Sequence, residues 1–510
     1  MKNRSDAKRH RVFGSVTVFF AMTVMVIASL FFTLTETLRY LALDRSAEMF
    51  SARTNDSAEA LFNKVLFEEF GILGIDVSMG SGTADPSYLM NKISVMADEN
   101  GNPETKNLNF LRLASEAPEY EYLTLYSDDN GDAFVKAGTM RLLSQLPRNV
   151  VDTIQKDGKD VSTAGASDVS LTSIIDSGNR AYKKRNEPYD KDSVSNVDLV
   201  PVTEEQVKKY EGKENPSGLY AANKTGLLDK ILPEGRTVSD RSVEKSTLLT
   251  GRSNIRTGIK GGTEPDANAG LLDNALFREY VLYNYSSYTN PHDRGGMLYE
   301  AEYVAFGRPT DRDNLEEYCN FVIALREAQN IIAIYNDPQK ITEVTAYATA
   351  LGGATANPAV IEAIKLALIA TWSFTESVLD LRTLLAGKNV PDLKTPDQWT
   401  SSLMNLSELI AGKGMAKEAT GPASISYNGY LRLKLNITSQ RDAAYRTMDM
   451  TENDIRQVSG YERIRMDGML CYAGVKYTYT AKPIFLAFVP QVDGRIKTYR
   501  FENTKNIRML

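Results

Sequence analysis

The chain is poor in the residues that build most metal and catalytic centres. Of its 510 residues only two are histidine, His10 and His292, and two are cysteine, Cys319 and Cys471. So few histidines exclude a His-cluster metal site and argue against a histidine general base. Two cysteines are too few for a disulfide scaffold or a Cys-ligated zinc site, and they leave open either one disulfide or two buried thiols. Phosphate-cradling loops are lacking as well: Gly212-Lys213, Gly387-Lys388 and Gly412-Lys413 all miss the upstream glycine or the following hydroxyl residue of a Walker loop. GxSxG, HExxH and CxxC do not occur. There is no excess of positive charge either, with 59 Lys+Arg against 65 Asp+Glu and a formal net charge of −6, so nucleic acid is not an expected partner. No cofactor, metal or small-molecule substrate is inferred, and the expectation is a protein that is not an enzyme. What is there is globular in character, 42% hydrophobic and 24% charged, and long enough for several folding units.

The strongest signal is another absence. From Val12 to Thr35 no residue carries a formal charge. At 1.5 Å per residue such a helix spans a hydrocarbon core of about 30 Å. It is longer than a signal-peptide apolar region, and no small-x-small cleavage site follows it. Lys2, Arg4, Lys8, Arg9 and Arg11 crowd the preceding residues, whereas Arg39, Arg45 and Arg53 beyond the span are interleaved with acids. The positive-inside rule then sets the N-terminus in the cytoplasm and the bulk outside the cell, as a single-pass membrane protein whose first partner is the lipid bilayer. No Gly or Pro occurs from Ser15 to Phe70, which predicts one unbroken helix reaching outward as a stalk with Gly71 as its stop. Ala58, Leu61, Phe62, Val65, Leu66 and Phe70 give that stalk an apolar stripe.

The pattern divides the chain into a basic leader (1–11), a transmembrane helix (12–35), a stalk helix (36–75), a mixed segment (76–150), a polar flexible insertion (151–265), a helical bundle (266–460) and C-terminal antiparallel strands (461–510). In the mixed segment Phe110–Ala117 reads as a helix and Tyr120–Ser127 as a strand. The insertion has no Phe or Trp, too little apolar area to offset backbone ordering, and only short helical patches near 169–183 and 225–232. In the bundle, Asp337-Pro338, Asn357-Pro358 and the capping box Thr395-Pro396-Asp397-Gln398 each predict a helix start, the last helix closing at Gly412. Two further helices are expected at about 427–437 and 439–458. The tail alternates from Val475 to Thr480, and PIFLAFV is expected to pair with IKTYRF across an Asp493-Gly494 turn. Tyr299–Gly307 reads as another strand of this sheet. The fold class is therefore α+β, mostly helical with one small antiparallel sheet.

Few constellations bear on chemistry. Glu36 and Arg39, one turn apart at the outer membrane boundary, form an interfacial ion pair or a contact to another membrane helix. Glu376 and Asp380 share a face of one apolar helix and need partners if buried; a structural network with Arg326 or Arg382 is expected. Glu300 and Glu302, on one face of a strand, would be the carboxylate pair of an alternative reading as a tethered hydrolase. An adhesin or sensor head is a third reading.

The basic leader ending in Gly14-Ser15, the apolar helix and the Ala- and Asp-containing continuation Thr35–Phe62 together resemble the pseudopilin-like proteins of the Tad (Flp) pilus and secretion system. The segments Leu66–Asp76, Tyr299–Gly307, Asp313–Asn330 and Ala370–Trp399 resemble a family of large Tad-associated, membrane-anchored proteins of Gram-positive bacteria with no assigned activity. The resemblance implies a non-enzymatic pseudopilin-like or accessory component whose partners are other membrane helices of a pilus or secretion assembly, and it marks Gly14 and Ser15 as a candidate processing site. One departure bears on assembly. Polymerising pilins carry Glu at the fifth mature position, and cleavage after Gly14 would put Phe19 there.

Overall fold

The computed structural model describes residues 9–101, 111–145, 171–186, 199–224, 226–262, 264–353, 357–486 and 498–510. The chain divides into two compact units, one made of residues 1–137, 253–269 and 458–510, the other of 138–252 and 270–457. The strands are β1 (Ile75–Asp76), β2 (Ala114–Ser115), β3 (Glu119–Leu125), β4 (Val390–Pro391), β5 (Ser424–Ile425), β6 (Met469–Ala481) and β7 (Tyr499–Arg508).

The first unit is a long helix laid on a sheet. The helix runs from Arg9 to Glu59, 51 residues and about 76 Å. Its N-terminal part is long and apolar enough to cross a membrane. Apart from Phe32, the large apolar side chains from Val16 to Leu34 are 48–71% exposed. The outer part turns one face inward: Leu43, Ala47, Ser51, Thr54 and Ala58 recur at three- and four-residue spacing and are buried. Small residues on that face let the helix approach the sheet, whose inward side chains Val475, Tyr477, Tyr479, Phe501 and Ile507 complete the core. In the sheet β6 is central. β7 (Tyr477 opposite Asn503) and, beyond its end, β1 pair with it on one side and β3 and β2 on the other, all antiparallel.

Several expectations change here. The stalk is not unbroken: the helix stops at Glu59, and a second one, Lys64–Phe70, starts at Asn63. The Asn63 side chain accepts from the Leu66 amide, while its own N–H donates to the Gly74 carbonyl, so a capped turn replaces the continuation although no Gly or Pro is present. Gly71 does stop the second helix, in the left-handed conformation with φ 67°. Residues 114–115 of the expected helix 110–117 form β2, because their backbone is taken up by Thr480 and Tyr479 of the central strand. The partner of β7 is 472–481 rather than PIFLAFV, of which Ile484–Leu486 make a turn. The Asp493-Gly494 turn and residues 1–8 of the leader lie outside the described residues.

The second unit is helical. Its central helix, Pro358–Leu385, is buried almost throughout and is flanked by Asp311–Tyr335, Pro338–Leu351 and Leu171–Lys183. Asn357 and Asp337 cap two of these as their Pro-headed starts predict. Gly178 marks a close helix approach: a Cβ there would sit 2.2 Å from Ala367 Cβ and 2.7 Å from the Ala363 carbonyl oxygen. Helices Leu271–Asn284, Tyr427–Ile437 and Gln440–Ile455 complete the bundle, and β4 pairs with β5.

Three differences stand out in this unit. Tyr299–Gly307 is not a strand but a helix, Glu300–Phe306, stopped by Gly307 at φ 70°. The box at Thr395 forms, yet it opens only a single 3-10 turn, Pro396–Gln398, and the next helix is Leu406–Ala411. The intervening amides of Thr400 and Ser401 are drawn to Glu376, a tertiary demand that overrides the local start signal. Finally, residues 199–224 and 226–252 of the expected flexible insertion are packed, with Tyr210, Tyr220, Leu227, Leu228, Ile231 and Leu249 buried. The helical patches fall at Leu171–Lys183 and Leu227–Ile231, whereas 151–170 and 187–198 lie outside the described residues.

Candidate functional site

Three places concentrate polar chemistry. The first is the upper end of the exposed apolar helix in the first unit. Glu36 and Arg39 are buried and paired at 2.9 Å. Neither reaches outward. The carboxylate accepts from the amides of Ile484 (3.1 Å) and Phe485 (2.7 Å), and the guanidinium donates to the carbonyls of Lys482 (3.1 Å) and Leu111. Phe485 stacks on Phe32 at 6.3 Å between centroids. The pair therefore ties the turn after β6 to the helix. Gly14 and Ser15 lie inside the same helix.

The second place is the centre of the second unit. Arg326 Nε lies 2.9 Å from Asp380 Oδ2, and the same guanidinium donates to the carbonyls of Pro391 (2.8 Å) and Asp392 (2.9 Å). Lys394, which the sequence argument missed, inserts its ammonium between Glu376 and Asp380, 2.7 Å from Asp380 Oδ1. Glu376 also accepts from the Ser401 amide and hydroxyl, and Ser401 accepts from the Trp372 indole N–H at 3.0 Å. All four charged side chains are fully buried. Arg382, the other expected member, takes no part. It caps the end of helix Leu406–Ala411 instead, donating to the carbonyls of Leu409 and Ile410. Lys394 lies in the Pro391–Trp399 connection after the helix, and its only sequence signal was that two carboxylates on an apolar helix require as many cations.

The third is a ring of carboxylates that anchors loops. Glu300 accepts from the Ser286 amide (2.7 Å) and pairs with Arg294 (3.1 Å), and Glu302 accepts from the Tyr288 amide (2.9 Å) and the Tyr427 hydroxyl. Asp449 takes the Thr250 amide and the Tyr303 hydroxyl, Glu452 pairs with Arg252 and Arg456, and Asp311 takes the Tyr299 amide and the Ser239 hydroxyl. Residues 239–252 were expected to be mobile, and these acids are what hold them. Burial pushes the Glu302 carboxyl up to about 7. It also raises Asp449 and Asp311, and Asp454 beside Glu300 is raised further by burial and by that neighbour. Glu300 and Glu302 are not an exposed pair on a strand. Both are fully buried and face backbone donors, which suits holding loops and not attacking a solvent-borne substrate.

A cleft of about 420 Å³ is lined by Gln206, Lys209, Tyr210, Gln339, Thr342 and Glu343, but Tyr210 and Lys209 already donate to Glu343 at 2.7 and 3.2 Å. Among the described residues no cluster of His, Cys, Asp and Glu is arranged to hold a metal. Cys319 and Cys471 are buried free thiols.

Residues 206–481 match a family of unknown function, DUF5702, and since that is more than half of its length the chain belongs to this family. No curated protein and no solved structure matches.

Proposed function

We propose that this member of an unassigned family is a non-enzymatic, single-pass membrane-anchored protein, cytoplasmic at its N-terminus and extracellular in its bulk, serving as a pseudopilin-like or accessory component of a Tad-type pilus or secretion assembly. The observation that carries the reading is the division of labour along one helix. From Val16 to Leu34 it exposes apolar side chains on every side, as lipid or neighbouring membrane helices require, while from Leu43 to Ala58 it is the inner layer against an antiparallel sheet. A helix that is membrane anchor at one end and core of the head at the other is how pilin-like proteins couple a membrane position to an outer surface. The reading as a tethered hydrolase draws no support from Glu300 and Glu302, whose carboxylates are enclosed and engaged.

The test is assembly in the native membrane. A cysteine placed at Leu30 should cross-link in intact cells to membrane components of the pilus or secretion apparatus, and protease added outside should trim the head. Recovery of a lone, un-cross-linked monomer, or a head protected in intact cells, would overturn the proposal.

A further inference from the structure

Beyond the helix, the first unit carries a second element at membrane level. The turn Ile484–Leu486 follows β6 and is held against the long helix at Phe32–Arg39. Phe485 stacks on Phe32 with the rings inclined by 19°, and Phe32 lies within the uncharged span, about 5 Å on the hydrocarbon side of Thr35. The turn is thus brought to the depth of a residue belonging to the span. Irregular backbone is tolerated at such depth only when its polar groups are satisfied from within the protein. Part of that need is met here: the amides of Ile484 and Phe485 donate to Glu36, the Lys482 carbonyl accepts from Arg39, and the two charges neutralise each other at 2.9 Å. The side chains of the turn itself are apolar. Ile484, Phe485 and Leu486 are half-buried, and on the helix Leu38 and Leu41 continue an exposed apolar surface past Glu36. Lys482, exposed beside the turn, is placed to carry its ammonium to the headgroup layer.

We propose that Ile484–Leu486 is a second membrane-contacting element, seated in the boundary between lipid headgroups and acyl chains beside the helix, so that the first unit rests on the bilayer surface. This rests on the membrane-anchored reading above. The Glu36–Arg39 pair then serves to dock this turn, closing off two charges that would otherwise face lipid.

The experiment uses the full chain in phosphatidylglycerol–phosphatidylcholine vesicles. An environment-sensitive fluorophore is attached to a cysteine introduced by Leu486→Cys, with Ile484→Cys as a second site in the same turn; the native thiols are buried, and the parent chain supplies the labelling background. Leu30→Cys reports the span and Asp56→Cys the water-exposed part of the stalk. The expected result is blue-shifted emission at 486 and 484, with loss of fluorescence when the lipids are spin-labelled near the top of the acyl chain, while 56 stays unquenched. Quenching at 30 but not at 484 or 486 would overturn this inference and leave the anchor intact. No quenching at 30 would overturn the anchor itself and this inference with it. A blue shift at 486 without lipid quenching would mean that a protein surface covers the turn, and would refute the lipid assignment.

Discussion

The two units differ in what lies at their centres. In the first, the layer between long helix and sheet is aliphatic and aromatic, and the Glu36–Arg39 pair lies at its edge, where it fastens a turn. In the second, Arg326, Glu376, Asp380 and Lys394 sit at the heart of the bundle, and Glu300, Glu302, Asp311 and Asp449 hold loops by their amides. A sheet closes its own backbone hydrogen bonds and needs only an apolar lid. The long connections of the helical unit bring unpaired amides into the interior, and carboxylates on the helices are what receive them. The apolar layer fixes shape through packing, whereas the charged one fixes which loop lies where.

The sharpest way to break that contrast is to remove the cation at its centre. Lys394→Met keeps the length of the side chain but leaves Glu376 and Asp380 buried beside each other, with Arg326 reaching only Asp380. Breaking a buried ion network in this way costs about 3–5 kcal/mol. Both tryptophans of the chain, Trp372 and Trp399, lie in the second unit, so urea unfolding followed by tryptophan fluorescence reads that unit alone. The same change at the exposed Lys388–Glu418 pair of the same unit, Lys388→Met, should cost less than about 0.5 kcal/mol. Equal effects at the two positions would mean that the buried network contributes nothing particular.

How far the sequence foretold this follows the same contrast. The long helix, the α+β class, the Pro-headed starts at Asp337 and Asn357 and the stop at Gly71 were legible, because periodicity and capping are local. A partnership of Glu376 and Asp380 with Arg326 or Arg382 was expected from the cost of burying charge on an apolar helix, and Arg326 reaches Asp380 while Arg382 does not join; Lys394 was missed because it comes from a connection whose path only the tertiary structure sets. Tyr299–Gly307 misled for a related reason. Its alternation of aromatic and acid looks like a half-solvated strand, but every one of Glu300–Ala305 is buried, so alternation carried no face information. Residues 199–252 looked too polar to order, and composition does not reveal that Asp311, Asp449 and Glu452 stand ready to receive their amides, hydroxyls and guanidinium.

A second test uses pH. Glu302 holds its proton more tightly in the folded chain, at about 7 against 4.5 when unfolded, because burial penalises its charged form. Below pH 4.5 both states are protonated and the group costs nothing. As pH rises from 4.5 to 7 the unfolded chain releases the proton first, so stability falls, and above 7 the cost is complete at about 3 kcal/mol. Asp311, Asp449 and Asp454, also raised, push in the same direction. Glu302→Gln keeps an acceptor for the Tyr288 amide and the Tyr427 hydroxyl without the ionisation. The second unit of the parent chain should therefore lose stability across this window by tryptophan-monitored unfolding, and the variant should lose distinctly less. Parallel pH profiles would show that Glu302 is already relieved of its burial cost.

A smaller effect than at Lys394 or Glu302 is expected in the first unit, where a single neutral cap takes the place of a network. Asn63 ends the stalk by accepting from the Leu66 amide at 2.9 Å while its own amide reaches Gly74. Asn63→Ala removes the first bond only, since the backbone contact does not depend on the side chain, and loss of such a cap costs about 1 kcal/mol. Nothing charged is left behind, so the cost should be independent of pH and of salt, unlike that of Lys394→Met. It should also stay local: amide hydrogen exchange at Leu66 and its helical neighbours should accelerate roughly five-fold, while the amides of β6 are unchanged. Acceleration spreading into β6 would mean that the short helix Lys64–Phe70 is a structural part of the sheet unit and not a terminal turn added to it.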